Sequence, residues 1–337
     1  MRPTVLPLLV ALLVPQGPST APSDMEPGFN LLKPPPAPAY VQRVQPAVVG
    51  IQVRVPLDSP SALTLGPARW GSGVIFDPAG YAVTVSYVLL DAEVIQVVLR
   101  DGRIVPAKLV GLDLENGLGV IKLEGDGPWP AASLGDSSKV AVGEATATIG
   151  VDDDNDLVVT QGSVQEIRSF AGYWEYLLDR AFIVAPYNPA FGGSPLVNLQ
   201  GEIVGISSLR LGERPFVNLA IPIEQLTASK DELLSKGRVL SRPVRPWLGL
   251  YTVPVGEGVV VAGVSPSGPA SQAGFQRGDM IMRINGEKVG SQEEFYRKLW
   301  QTKVGQDVIL VVLRESRFQV ITVRPVDRYR LFRLPGK

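Results

Sequence analysis

The sequence contains no histidine and no cysteine among its 337 residues. The lack of cysteine excludes disulfide bonds, zinc–thiolate sites, a cysteine nucleophile and lipidation of an N-terminal cysteine. The lack of histidine removes the only side chain whose unperturbed pKa allows proton transfer near neutral pH, so no histidine can act as a general base. The formal net charge of −1 gives no general attraction to nucleic acid, which we therefore exclude as a partner.

Long apolar runs are also scarce, and the clearest one stands near the N-terminus. Arg2 precedes an apolar run at 5–14, and small and polar residues follow at 16–21. This order is typical of a secretory signal, and the run is too short to span a bilayer comfortably. We predict a signal peptide over residues 1–22 and an exported protein, periplasmic or extracellular, which an uncleaved N-terminus would attach to the membrane. A disordered apolar start is the alternative.

Glycine and proline, in contrast, are abundant, with 35 and 30 residues, and they divide the chain into short segments. About twelve short strands separated by turns follow one another between 41 and 223, a pattern that predicts a β-barrel or a β-sandwich. The remaining segments are predicted to be a proline-rich linker at 23–40, a second linker at 229–245, a smaller domain at 246–328 and a basic, frayed tail at 329–337.

Three segments between 41 and 228 carry a resemblance to a known family. Residues 71–84 read Gly-Ser-Gly-Val-Ile-Phe-Asp-Pro-Ala-Gly-Tyr-Ala-Val-Thr, residues 118–122 read Leu-Gly-Val-Ile-Lys, and residues 188–198 read Asn-Pro-Ala-Phe-Gly-Gly-Ser-Pro-Leu-Val-Asn. In their order and spacing they resemble the HtrA family of trypsin-like serine endopeptidases of cell envelopes and organelles. The resemblance implies a mainly β fold, in which a two-barrel, chymotrypsin-fold domain at 41–228 is followed by an α+β PDZ domain.

The resemblance also places the family's catalytic triad on three residues of other types. The position of the histidine holds Tyr87, that of the aspartate holds Gly117, and that of the serine holds Gly192. Ala190 stands where the oxyanion loop of the family has a glycine, and its Cβ restricts the backbone angles of the loop. We therefore predict a catalytically inactive pseudoprotease, which is not an enzyme.

An active serine endopeptidase with a rewired site is the alternative. Ser194 and Ser86 lie near the triad positions, but neither has a suitable general base close in sequence. We expect Tyr87 to fill the former catalytic pocket, close to Gly117 and Gly192, and thereby to stabilise the junction of the two barrels. Substitution by drift, without such packing, is the competing explanation.

Residues 246–328 resemble the PDZ domain that follows HtrA proteases, through Trp-Leu-Gly-Leu at 247–250 and Arg-Gly-Asp-Met-Ile at 277–281. PDZ domains add a peptide as an extra strand at a sheet edge and hold its C-terminal carboxylate with backbone N–H groups. The resemblance assigns the carboxylate-binding loop to Trp247, Leu248, Gly249 and Leu250. It assigns the pocket for the last side chain of the peptide to Leu250, Val260, Phe295 and Leu299, of which Val260 and Leu299 are equally well explained as core residues.

The other motifs predict neither a cofactor nor a metal ion. The acidic run at 152–156 lacks the glycine and the glutamate of an EF-hand loop, and Gly71-Ser72-Gly73 lacks the third glycine of a dinucleotide-binding fingerprint. The aromatic run at 173–176 is explained by loop packing, with peptide binding or a trimer contact as alternatives.

The predicted function is therefore the binding of peptide C-termini or unfolded protein segments, through the PDZ groove and the former substrate cleft. The role would be that of a scaffold, a chaperone or a regulator of an active protease relative. The resemblance also raises a homotrimer as the expected assembly.

Overall fold

The computed structural model describes residues 37–266 and 268–334. The predicted signal peptide and most of the predicted linker at 23–40 lie outside the described residues. Within the described ranges, no helix is long and apolar enough to cross a membrane. This part of the chain is mainly β, as predicted, and forms two closed barrels followed by a smaller unit of strands and helices.

The first barrel is a closed ring of six antiparallel strands, filled by fully buried aliphatic side chains such as Ile51, Ile75 and Ile121. Three short helices flank it, α1 (Ala39–Val44), α2 (Ala62–Leu65) and α3 (Ser86–Leu89). The strands are β1 (Val48–Arg54), β2 (Ala68–Asp77), β3 (Tyr81–Val85), β4 (Val94–Val98), β5 (Ile104–Asp113) and β6 (Leu118–Leu123). They pair in the order β1-β2-β3-β6-β5-β4, and β4 closes the ring on β1.

The second barrel repeats this arrangement, and its six strands complete the twelve that were predicted between 41 and 223. They are β7 (Ala145–Val151), β8 (Leu157–Gly172), β9 (Tyr176–Ala185), β10 (Pro195–Val197), β11 (Ile203–Leu211) and β12 (Val217–Pro222). The ring order is β10-β11-β12-β9-β8-β7. Strands β8 and β9 form a long hairpin, in which Gly172 pairs with Tyr176, so residues 173–175 form its tip.

Two short helices, α4 (Glu224–Thr227) and α5 (Lys230–Lys236), lead to the third unit, which contains α6 (Pro269–Gln272) and α7 (Gln292–Trp300). Helix α7 begins after Ser291, whose hydroxyl accepts the N–H of Glu294 as an N-cap. The strands are β13 (Pro246–Trp247), β14 (Leu250–Val255), β15 (Gly258–Val264), β16 (Met280–Ile284), β17 (Glu287–Lys288), β18 (Val308–Arg314), β19 (Arg317–Val323) and β20 (Val326–Asp327). The sheet order is β14-β15-β16-β18-β19, with β17 paired to β16 and β13 paired to β20.

Two segments differ from their prediction because their apolar side chains are buried against the first barrel. The predicted linker at 229–245 contains α5, whose Leu233 is fully buried, and the N–H of Leu112 donates to the carbonyl of Gly237. The expectation of a frayed tail is wrong for the described residues 329–334. Tyr329 is buried, and its phenol donates to Glu115 at 2.6 Å.

Candidate functional site

The junction of the two barrels contains Tyr87, which follows β3 in helix α3. Its phenol Oη donates a 2.8 Å hydrogen bond to the carbonyl of Ser208 in β11 and so links the first barrel to the second. A Cβ built on Gly192 would lie 3.1 Å from the same oxygen, so Tyr87 stands beside Gly192 as expected. Burial raises the pKa of Tyr87, and the phenol therefore stays neutral and cannot serve as a base near neutral pH.

The space beside Gly117 is occupied by a different ring from the one expected. A Cβ on Gly117 would lie 2.9 Å from the phenol oxygen of Tyr176, which donates to the carbonyl of Asn116 at 2.8 Å. Gly117 has φ +80, and its carbonyl accepts the N–H of Ser86 at 2.8 Å. Tyr87 was expected close to both glycines; it lies beside Gly192, whereas Tyr176 from the second barrel lies beside Gly117.

The polar groups of the loop at 188–194 are partnered within the loop and by the neighbouring strand β11. The N–H of Ala190 donates to the side-chain oxygen of Asn188 at 2.8 Å, and the N–H of Gly193 donates to the carbonyl of Ser207 at 2.9 Å. Ser194 is fully buried, and its hydroxyl donates to the carbonyl of Ala190. An oxyanion-binding loop needs N–H groups aimed at the developing charge, and the N–H of Ala190 already has a partner.

The backbone of β11 beside this loop is also partnered within the chain. The N–H of Ser207 donates to the carbonyl of Ser194, and the carbonyl of Ser208 accepts the phenol of Tyr87. Among the described residues, the hydroxyl of Ser194 has no titratable hydrogen-bond partner. A serine nucleophile needs a positioned base, and the sequence has no histidine to supply one.

The loop at 247–250 holds a carboxylate, and that carboxylate belongs to the chain itself. The N–H of Leu248 donates to one oxygen of the Glu175 side chain at 2.9 Å, and the N–H of Leu250 donates to the other at 2.7 Å. Gly249, between these donors, has φ +84, a conformation that favours glycine and turns both N–H groups to the same side. The loop that the resemblance assigns to a carboxylate thus has the donors for one.

Glu175 sits at the tip of the β8–β9 hairpin and is only 5% exposed. Burial raises the pKa of its carboxyl group to about 7, and hydrogen bonds from Leu248 and Leu250 and the positive charge of Arg328 oppose that rise. The aromatic run at 173–176 was predicted to be loop packing, and no role was predicted for Glu175 within it. A single carboxylate between three aromatic residues was the signal that could have identified it.

The predicted pocket residues do not all share one face. Leu250, Phe295 and Leu299 are fully buried in one cluster, together with Leu177 from strand β9. Val260 lies outside that cluster, because its neighbours Val259 and Val261 point into the core and side chains alternate along a strand. The assignment of Val260 to the pocket is therefore wrong.

No metal site is indicated in the part of the chain that the structure describes, where no three acidic side chains converge in a suitable geometry. The acidic loop at 152–156 is held instead by its own turn, in which the carboxylate of Asp152 accepts the N–H groups of Asp154 and Asp156.

Comparison with known families agrees with both halves of the fold. Residues 71–206 match the trypsin-like peptidase domain, and residues 246–324 match the PDZ domain.

The chain is similar to several proteins that are named as proteases. It is 31% identical to the serine endoprotease DegS of Salmonella typhimurium over 303 residues, which cover 83% of each protein. It is 34% identical to a probable periplasmic serine endoprotease, DegP-like, of Halomonas elongata, over 76% of this chain but only 56% of that protein. The chain thus spans slightly more than half of the DegP-like relative.

Solved structures show the same similarity. A structure described as the HtrA-type protease AlgW with tripeptide is 27% identical, has a TM-score of 0.54, and is matched over 88% of this chain and 97% of that one. The serine endoprotease of Yersinia pestis is 29% identical with a TM-score of 0.52, over 86% and 96% of the two chains.

These comparisons contradict the prediction that the chain is not an enzyme. The relatives are named serine endoproteases and the similar structures are described as proteases, so the comparisons point to an enzyme. The prediction treated three replaced positions as proof of lost activity, and the comparisons do not support that step.

Proposed function

Because the chain belongs to the HtrA-type family of trypsin-like serine endoproteases with a PDZ domain, we propose that it captures the C-termini of peptides and unfolded proteins in its PDZ groove. We also propose that it is exported, since similar proteins are named periplasmic. A homotrimer, an active protease relative as partner, and a role as scaffold, chaperone or regulator stay predictions.

One observation carries the proposal of peptide capture, namely that the loop at 247–250 binds a carboxylate. Its two N–H donors, on Leu248 and Leu250, approach the oxygens of Glu175 to 2.9 and 2.7 Å, which are the distances of charge-assisted hydrogen bonds. Strand β14 follows directly, and it stands at one end of the strand order β14-β15-β16-β18-β19. A carboxylate loop at the start of an edge strand is the arrangement that binds a peptide C-terminus.

Binding should therefore depend on the free carboxylate of the peptide. We expect decapeptides that end in Leu, Val, Ile or Phe to bind at least about tenfold more tightly than their C-terminal amides, because a hydrogen bond to a charged group contributes roughly 1.5–3 kcal/mol. Fluorescence anisotropy with labelled peptides measures the difference. Equal affinity of the acid and the amide would contradict recognition of the C-terminus.

We further propose that Tyr87, Gly117 and Gly192 stand at the triad positions of the family. Their placement supports this assignment, since Tyr87 and Gly192 meet at the junction of the barrels and the carbonyl of Gly117 accepts the N–H of Ser86. A test for cleavage must therefore examine serines outside the three triad positions.

Cleavage of captured segments by a rewired serine site is a second candidate function, which the names of the relatives favour. Ser194 is the serine closest in sequence to Gly192, and it lies in the same loop. Its hydroxyl is buried and bound to Ala190, so the loop would have to open, and a base other than histidine would have to approach.

If Ser194 is the nucleophile of a rewired site, the purified protein should cleave unfolded casein. Ser194→Ala should then lower cleavage to the level of a sample without protein. Ser241→Ala, at an exposed site in the linker, is the matched control and should leave cleavage unchanged. A serine-directed phosphonate probe should label the wild type and spare the Ser194→Ala protein. Absence of both cleavage and labelling in a folded wild-type protein would exclude this function.

A further inference from the structure

We propose that the hairpin tip at 173–175 is a built-in ligand of the PDZ groove, which an external peptide must displace in order to bind. This inference rests on the proposed function, because it concerns the regulation of the same groove. The groove binds a peptide C-terminus, and the Glu175 side chain competes with that ligand.

The register of the contacts is that of an added strand. On β14, the N–H of Leu250 donates to the carboxylate of Glu175 at 2.7 Å, and the N–H of Thr252, two residues further on, donates to the carbonyl of Tyr173 at 2.7 Å. The acceptors belong to Glu175 and Tyr173, which are also two residues apart. Their order along the chain is the reverse of the order of the donors. Alternate residues of a strand present their backbone groups to the same side, so the spacing and direction match those of an antiparallel strand, with the side-chain carboxylate of Glu175 in the place of one backbone acceptor. The tip places a carboxylate where a peptide would place its C-terminal one.

The other wall of the groove, helix α7, also contacts the hairpin. The phenol of Tyr296 donates to the carbonyl of Gly172 at 2.7 Å, and Ser169 donates to Glu293 at 2.9 Å. Arg297 forms an ion pair with Asp179 on β9. The hairpin therefore contacts both the edge strand and the helix, which are the two elements that enclose a bound peptide.

The same hairpin also contributes an apolar side chain to the cluster that contains three of the predicted pocket residues. Leu177, two residues after Glu175, is only 2% exposed and belongs to the apolar cluster that contains Leu250, Phe295 and Leu299. An apolar side chain next to a bound carboxylate is what the last residue of a peptide would supply. The hairpin therefore provides both a carboxylate and an apolar side chain, which are the two features of the expected ligand.

The built-in ligand has features that favour its exchange. Glu175 has φ +56, a conformation that few residues other than glycine adopt. Its carboxylate is also buried, and burial of a charge opposes ionisation. The C-terminal carboxylate of a peptide supplies the same acceptor without the constraint of a hairpin tip. Peptide and Glu175 cannot both accept hydrogen bonds from Leu248 and Leu250.

Removal of the Glu175 carboxylate should therefore expose the site. We expect Glu175→Ala to bind the labelled decapeptides with a free carboxylate at least about tenfold more tightly than the full-length wild type, since a competitor that fills the site reduces apparent affinity by the fraction occupied. Glu257→Ala, at an exposed position on the β14–β15 turn, is the control and should match the wild type. Fluorescence anisotropy provides the affinities, and circular dichroism confirms folding.

The outcomes separate the two proposals. Equal or weaker binding by folded Glu175→Ala overturns the built-in ligand but leaves peptide capture standing. If neither the wild type nor the variant binds any of the peptides, peptide capture itself is overturned, and the built-in ligand with it. Should Glu175→Ala fail to fold, Glu175→Gly, which tolerates the φ of +56, takes its place, and an affinity equal to that of the wild type overturns the inference.

Discussion

Gly193→Ala is expected to destabilise the fold by about 4 kcal/mol, the sum of a strained backbone and an overpacked site. Gly193 has φ +91, a conformation that L-residues rarely adopt. A Cβ there would lie 2.1 Å from the carbonyl oxygen of Ser72 and 2.2 Å from the hydroxyl of Thr84. Both neighbours belong to the first barrel, whereas Gly193 belongs to the second, so the substitution would push the barrels apart. The change in the urea-unfolding midpoint measures the loss.

Gly212→Ala is the matched control for this prediction. Gly212 has φ +77, and no atom of the described residues lies within 4 Å of a Cβ built on it, so the substitution should cost only the backbone strain of about 1–2 kcal/mol. The difference between the two variants therefore isolates the contact between the barrels. Similar midpoints for both variants would show that Gly193 is not packed against Ser72 and Thr84.

Much of the fold follows from local sequence patterns, because short apolar strands and turn residues are local signals. The twelve short strands predicted between 41 and 223 are all present. The division into two barrels came from the resemblance, since strand pairing depends on contacts between distant residues. Strand β8, with 16 residues, is longer than the short strands that were predicted. Its outer half shows no clear hydrophobic periodicity, since polar residues stand next to one another at 165–166 and 168–169.

The candidate site was only partly predictable, for reasons of tertiary placement. The donors of Leu248 and Leu250 lie in a recognisable local motif and were expected. Glu175 was not, because its role depends on where the β8–β9 hairpin meets a sheet that begins 75 residues later, at Leu250. Tyr176 was missed for the same reason, since it reaches Asn116 across the barrel junction.

The ionisation of Glu175 should control the exchange of the hairpin tip for a peptide. The pKa of this carboxyl is about 7 in the groove, and its ordinary value is 4.5. The Glu175 carboxyl therefore keeps its proton to a higher pH while it occupies the groove than it does after a peptide has displaced it. Occupancy of the groove by Glu175 is favoured at low pH and weakens as the pH rises from about 4.5 to about 7, above which it is constant.

Peptide affinity should consequently rise on the order of tenfold between pH 5.5 and pH 7.5, and anisotropy at constant ionic strength measures this change. Glu175→Gln should lack most of this dependence. Burial also raises the pKa of Glu115, which lines the same cavity, so this neighbour contributes to a dependence that remains in the variant. The titratable groups that line the same cavity as Glu175 are Glu115, Arg245, Asp327, Arg328 and Tyr329, and the phenol of Tyr296 accepts the backbone N–H of Glu175.

The most direct test is the titration of Glu175 itself, by NMR of protein labelled with ¹³C at the glutamate carboxyl carbons and assigned with Glu175→Gln. Without peptide, the Glu175 signal should titrate with a pKa of about 7. With a saturating decapeptide that has a free C-terminus, the carboxylate should leave the groove and titrate near the ordinary value of 4.5. An ordinary pKa without peptide, or a raised pKa that the bound peptide leaves unchanged, would contradict the account.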